Sequence, residues 1–180
     1  NVTVTNTGNV LGTTGTGIDA ESAGGIITIT PSGTVSDASG IYGATIASGT
    51  VTVSTAFGAA GNVTGTGGFG IGTSAENGNT AITNNALLVQ GTTYGATAVS
   101  SGTGAISIIG NGDYTGGSAG GISAVISGTG PSSGNGFGPG GVDGIYISGS
   151  GKTTTTDGAA IYAHEAGGTA SILVIRTGLV

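Results

Sequence analysis

A short motif, a glycine followed by isoleucine, recurs along the chain and constrains its fold more than any other feature. It occurs at Gly17-Ile18, Gly40-Ile41, Gly70-Ile71, Gly121-Ile122 and Gly144-Ile145, with degenerate copies at Gly95-Ala96 and Ala160-Ile161. The positions after the glycine are separated by 23, 30, 25, 26, 23 and 16 residues. A drifting period near 25 residues is typical of a solenoid. Because so short and glycine-rich a repeat cannot bury an apolar face alone, each repeat must form one coil stacked on the next.

Two further apolar patterns accompany the motif in most repeats. Stretches such as 2–5 and 27–30 alternate β-branched apolar residues with threonine, which predicts strands with one inward face. A third apolar station follows a polar turn, at Val10, Val35, Val63, Leu87-Leu88 and Tyr114. Glycine-rich and serine-rich corners separate these stations, and no apolar stripe of period 3.6 is present. We therefore expect an all-β protein: a parallel β-helix solenoid with three short strands per coil, about 25 residues per coil, and almost no helix.

The whole chain, residues 1–180, is predicted to be a single solenoid that is a fragment or a processed piece of a longer chain. Residues 128–141 contain two prolines and little apolar content, which predicts a protruding loop. The 16-residue step from Ile145 to Ile161 is too short for a three-stranded coil. Either that coil is abbreviated or residues 152–156 form a substitute strand on the outside.

Composition excludes several functional classes. Only 6% of residues are charged, and the net charge is −6 with two cationic residues, Lys152 and Arg176, so we expect no nucleic-acid partner. The absence of cysteine excludes disulfides and thiolate metal sites. No apolar stretch approaches the roughly 20 residues of a membrane-spanning helix, so we expect no transmembrane segment in this chain.

The order of the stations resembles the passenger domains of bacterial autotransporters and the related large β-helical surface adhesins. The likeness is carried by residues 2–10 with Gly17-Ile18-Asp19-Ala20, and by residues 27–35 with Gly40-Ile41-Tyr42-Gly43. It covers about the first 125 residues well. The resemblance implies a right-handed parallel β-helix that is extracellular or at the bacterial cell surface.

Catalytic and metal-binding arrangements are sparse. Asp19 and Glu21 share a strand face, but the matching positions one coil later are Tyr42 and Ala44, which supply no acid, base or cation. His164 and Glu165 are adjacent and so point to opposite sides of a strand. Residues 140–145 contain one imperfect copy of a calcium-binding glycine–aspartate repeat, which works only in tandem. We therefore expect no enzyme activity, no cofactor and no metal, with a polysaccharide-active β-helix enzyme as the alternative.

The remaining candidates are surfaces. Tyr42, Tyr146 and Tyr162 take the outward position of the glycine–isoleucine station and form a possible contact surface for a host or cell-surface glycan or protein. Outward threonines form a ladder that suggests, as a less favoured alternative, an ice-binding solenoid. The ends carry apolar strands without a helical cap, so Val2, Val4, Ile172 and Val174 are candidates for end-to-end self-association into an oligomer or filament. Equally, these are truncation points. The expected function is structural or adhesive.

Overall fold

The computed structural model describes residues 1–131, 136–139, 141, 143–168 and 170–179. Within these ranges the chain folds into parallel stacked sheets that form a β-solenoid of about six turns. The one helical element in the described part is a single 3₁₀ turn at Ala59–Gly61. The prediction of an all-β parallel solenoid is therefore confirmed.

Three parallel sheets make up the walls of the solenoid. Sheet A contains β1 (Val2–Asn6), β4 (Ile27–Pro31), β7 (Val51–Ser54), β10 (Thr80–Thr83), β13 (Ile106–Ile109), β16 (Asp143–Gly149) and β19 (Ser171–Arg176). Sheet B contains β2 (Val10–Leu11), β5 (Val35–Asp37), β8 (Val63–Gly65), β11 (Leu88–Gly91), β14 (Asp113–Gly116) and β17 (Thr153–Thr155). Sheet C contains β3 (Thr16–Ser22), β6 (Ser39–Thr45), β9 (Ile71–Ala75), β12 (Tyr94–Ser100), β15 (Gly120–Ile126) and β18 (Ala159–Glu165). The chain passes through A, B and C in strict rotation.

Coil length varies while the stacking register is kept. In sheet A, the inward positions in mutual register are Val2, Ile27, Val51, Thr80, Ile106, Ile145 and Ile172, so successive coils hold 25, 24, 29, 26, 39 and 27 residues. The core is a set of such columns, in which β-branched side chains stack on their counterparts one coil away. Ile27, Val51, Ile106 and Ile145 are fully buried. Burial of this kind is the main stabilising term in the fold.

The glycine of the repeated motif is required by close packing at the corner between sheets B and C. A Cβ atom on Gly40 would lie 2.3 Å from the carbonyl oxygen of Gly70, and one on Gly70 would lie 2.6 Å from that of Gly95. The same contact follows at Gly95 and Gly121, at 2.7 Å in each case. No side chain fits at these distances, so the motif keeps glycine wherever another coil stacks above. Ala160, in the last strand of sheet C, has no described coil above it and carries a Cβ.

Asparagine side chains link successive coils at the corners. The backbone N–H of Ile26 donates to Asn1 Oδ1 at 3.0 Å, that of Leu88 to Asn62 Oδ1 at 3.0 Å, and that of Ala105 to Asn79 Oδ1 at 2.8 Å. Each bond satisfies a turn N–H that has no ladder partner. The corners are therefore stabilised by polar side chains as well as by turn geometry.

The structure corrects the assignment of Gly144-Ile145 to the glycine–isoleucine station. Ile145 pairs with Ile106 and Ile172 in sheet A, whereas Ile122 pairs with Ile161 in sheet C. The step from Ile145 to Ile161 therefore runs from sheet A to sheet C within one coil. Neither an abbreviated coil nor an outer strand is needed: β17 continues sheet B, and its Thr153 is fully buried.

A second correction concerns the sheet B station at Leu87-Leu88. Val89, not either leucine, pairs with Val63 and Tyr114 and is fully buried, while Leu87 is exposed. The structure thus places the column one or two residues further along the chain than the sequence prediction.

The loop predicted at residues 128–141 falls partly outside the described residues, which omit 132–135 and 140. In the described part, Gly130 and Pro131 are buried. The N–H of Gly136 donates to the carbonyl of Gly141, and that of Gly141 to the carbonyl of Gly138. This segment supplies the extra residues of the 39-residue coil.

Candidate functional site

The two ends of the described solenoid each present open strands and apolar side chains. At one end β1, β2 and β3 have a described neighbour on one side only; at the other end β17, β18 and β19 do. Val2 and Val4 are half-buried. Ile172 and Val174 are each 43% exposed, although their counterparts one coil inward are fully buried. These four inward-facing residues, taken from the sequence as candidates for end-to-end contact, thus lie on the open faces.

A cation fills the interior beneath the C-terminal face. Arg176 donates from Nη1 to the carbonyl of Gly110 at 3.2 Å, and from Nη2 to those of Gly112 at 3.2 Å and Gly151 at 2.6 Å. Burial lowers the pKa of Arg176, with Tyr114 and Asp113 opposing the shift. Sequence reading treated Arg176 as an exposed charge at the chain end. The structure instead uses it as an internal hydrogen-bond donor.

The three candidate tyrosines lie on two different sheets. Tyr42 and Tyr162 occupy one outward row of sheet C, but Tyr146 lies on sheet A between Ser107 and Leu173. The expectation that all three share one station is therefore wrong, because Gly144-Ile145 belongs to sheet A. Tyr162 is 48% exposed and stacks on His164, with ring centroids 6.0 Å apart and an interplanar angle of 8°.

Tyr42 forms an aromatic pair that the sequence did not reveal. Its ring centroid lies 5.8 Å from that of Phe69, with the planes inclined at 42°. Gly72 follows Tyr42 in the outward row, and a Cβ there would lie 2.9 Å from Phe69 Cε2 and 3.1 Å from Tyr42 Cδ2. The glycine therefore lets both rings lie against the outer surface of sheet C. The available signal was the loss of a side chain at an outward strand position beside a corner aromatic.

Two exposed carboxylates border this aromatic pair. Asp19 pairs with Tyr42 and Glu21 with Ala44, as the sequence reading expected, and both acids are exposed. Partial burial raises the pKa of Tyr42; the charges of Glu21 and then Asp19 add to this, and a hydrogen bond with Ser74 opposes it. We call Asp19, Glu21, Tyr42, Phe69 and Ser74 the acidic aromatic patch.

An open groove of about 520 Å³ adjoins the acidic aromatic patch. Its lining includes Glu21, Tyr42 and Ser74 together with Ile46, which is 63% exposed. The site thus combines aromatic and aliphatic surface with two carboxylate acceptors. Neither Lys152 nor Arg176 is among the groove residues.

The outward threonine ladder extends over the first three coils of sheet A. Thr3, Thr28 and Thr52 are in register, and the row then continues through Ala81, Ser107, Tyr146 and Leu173. The face therefore changes from hydroxyl-bearing to apolar along the axis. A repeating hydroxyl lattice is confined to three coils.

The remaining sequence candidates are not brought together. The His164 side chain is exposed, whereas both carboxylate oxygens of Glu165 are buried and without a hydrogen-bond partner. The glycine–aspartate segment at 140–145 includes Gly140 and Val142, which lie outside the described residues. Within the part of the chain that the structure describes, no group of three or more His, Asp or Glu side chains could hold a metal ion. None of the described helices is long and apolar enough to cross a membrane.

No protein-family model matches the chain, and no curated protein or solved structure matches it either. The β-solenoid architecture is thus established by the structure itself.

Proposed function

We propose that this chain is a structural and adhesive solenoid of the bacterial cell surface or extracellular space, and that it extends by coil-on-coil stacking at its ends. The observation that carries the proposal is the pair of open apolar faces. Their inward residues belong to the same columns that are fully buried within the stack. Exposed strand edges of this kind are templates for further strands.

The two faces are complementary in register. A second copy whose β1 adds to β19 would continue sheet A, with Val2 over Ile172 and Val4 over Val174. The N-terminal strands of sheets B and C would meet β17 and β18 in the same order. Since this contact joins unlike surfaces, repeated association propagates as a filament unless the rotation closes a ring.

One residue opposes such stacking. Within the solenoid each Cβ-free glycine of the motif faces a carbonyl of the next coil, but Ala160 would direct a methyl group at the carbonyl of Gly17 in the incoming copy. The interior distances of 2.3–2.7 Å at Gly40, Gly70 and Gly121 indicate the size of the clash. We therefore expect association of the wild-type chain to be weak and Ala160→Gly to strengthen it.

Sedimentation velocity at several protein concentrations tests the proposal. We expect the wild-type chain to form growing species at tens of micromolar, and Val174→Lys to abolish them because it buries an unpaired charge. Ile175→Lys is the matched control: this neighbouring residue points outward and is 46% exposed, so assembly should persist. A strictly monomeric wild-type protein, or equal loss of assembly in both lysine variants, would contradict the proposal.

The polysaccharide-active enzyme remains the alternative function. A structural role is favoured because the outward pair Asp19 and Glu21 faces only Tyr42 and Ala44 on the next coil. Release of reducing sugar ends from a polysaccharide by the wild-type chain, lost in Asp19→Asn/Glu21→Gln, would favour the enzyme instead.

A further inference from the structure

The acidic aromatic patch has a composition that its position in the fold does not require. Asp19 and Glu21 are exposed and point away from the core, and none of the printed ion pairs or hydrogen bonds uses their carboxylates. The Tyr42 and Phe69 rings lie against the outer surface of β9 over Gly72. A soluble strand face is normally covered by small polar residues, as the threonines of sheet A are.

We propose that the acidic aromatic patch binds a hydroxyl-rich glycan that is neutral or carries amino groups. The inference rests on the adhesive part of the proposed function and gives it a site and a ligand class. Tyr42 and Phe69 offer inclined ring faces against which the C–H face of a sugar ring packs. Asp19 and Glu21 supply acceptors only, which suits vicinal hydroxyls or an ammonium group as donors.

The charge of the surroundings selects among glycans. The chain carries a net charge of −6, and the patch itself contributes two carboxylates. An acidic polysaccharide such as a uronate would place like charges together without a cation to offset them. An amino sugar gains charge-assisted hydrogen bonds at the same positions.

The dimensions favour a glycan over a protein partner. The patch runs from the first coil at Asp19 to the third at Phe69, which is about 10 Å at a strand spacing of about 4.8 Å. Across the strands it covers a similar distance, so its area is on the order of 100–200 Å². A stable protein interface buries about 800 Å² per partner. A surface of this size instead suits a few sugar rings lying across an open groove.

Isothermal titration calorimetry with three oligosaccharides of equal length tests the inference: a glucosamine oligomer, an N-acetylglucosamine oligomer and a galacturonate oligomer. We expect the first two to bind, the glucosamine oligomer more tightly at low salt, and the galacturonate oligomer not to bind. Tyr42→Ala and Phe69→Ala should each weaken binding about tenfold. Asp19→Asn/Glu21→Gln should remove the preference for glucosamine and its salt dependence.

Tyr162→Ala is the matched control, since Tyr162 lies in the same outward row of sheet C at the opposite end of the solenoid. Phe69→Leu keeps apolar cover over Gly72 but removes the ring, which guards against loss of folding in the alanine variants. Titrations in the Val174→Lys background keep the protein monomeric, so failure of glycan binding and failure of end stacking are read separately. The inference is overturned if no oligomer binds at millimolar concentration, if galacturonate binds best, or if Phe69→Leu and Tyr162→Ala bind equally well.

Discussion

The guanidinium carbon of Arg176 lies 5.3 Å from the centroid of the Tyr114 ring, across the coil that contains Gly149. Two glycines make this contact possible. Gly110 and Gly149 occupy the column below Arg176, and both have positive φ, at 121° and 135°. A Cβ on Gly149 would lie 1.8 Å from the carbonyl oxygen of Gly110 and 3.1 Å from Arg176 Nη1. The long arginine side chain thus fills space that two missing side chains leave.

Arg176→Leu should lower the free energy of unfolding by about 2–3 kcal/mol, because the carbonyls of Gly110, Gly112 and Gly151 lose a charged donor. Urea unfolding followed by circular dichroism measures the change. Lys152→Leu, which removes the exposed cation, should stay within about 0.5 kcal/mol of the wild type. An equal effect of the two substitutions would show that Arg176 acts only through net charge.

Stability should fall as pH rises above about 10, the usual pKa of tyrosine. Burial raises the pKa of Tyr114, with Arg176 and Asn84 opposing the shift. The folded state therefore keeps the phenol protonated, and the unfolded chain loses the proton first. The sign is that the contribution of Tyr114 is fully present below the unfolded pKa and is lost as pH rises toward the folded one. Urea midpoints between about pH 9 and 11 should decline, and less steeply in Tyr114→Phe. Parallel declines in the two proteins would refute this.

Gly70→Ala should destabilise the fold by about 1–3 kcal/mol or more, since the new methyl group would meet the carbonyls of Gly95 and Gln90 and the side chain of Val89. Gly15→Ala is the control, because no heavy atom lies within 4 Å of a Cβ there. Thermal unfolding should place the Gly70 variant several degrees below the control. Coincident transitions would argue against the corner packing described for the motif.

Asn84→Ala should cost about 1–3 kcal/mol, because this fully buried amide bonds to Thr55 Oγ1, to the carbonyl of Asp113 and to the N–H of Ala86. Asn6→Ala makes the same change at the exposed start of the column, where the amide bonds only to Gly8. Chemical unfolding of both variants compares the two positions. A cost at Asn6 as large as at Asn84 would mean that burial is not the cause.

The fold was predictable because each strand carries its own evidence. Alternation at Val2-Thr3-Val4 or Ile27-Thr28-Ile29 identifies an inward face without knowledge of any distant contact. Assignment to a particular sheet was less secure, as Ile145 shows. A glycine–isoleucine pair arises in sheet A as well as in sheet C, and the 39-residue coil removes the spacing that would tell them apart.

The candidate site was only partly predictable for a related reason. The outward position of Tyr42 and its pairing with Asp19 follow from period-two strands and coil spacing. Its contact with Phe69 depends on how a corner residue folds back over Gly72, which strand patterns do not encode. The inward path of Arg176 likewise depends on glycines in two other coils. Both features come from packing across coils of unequal length.

The strict rotation of the chain through sheets A, B and C determines how the molecule would respond to mechanical force. Covalent bonds run around each coil, perpendicular to the axis, so only hydrogen bonds and side-chain packing resist a pull along it. Under tension the coils should peel off one at a time, each regular coil of about 25 residues releasing up to about 90 Å of chain. The 39-residue coil from Ile106 to Ile145 would release about half as much again, a single long step that marks its position in a force–extension trace.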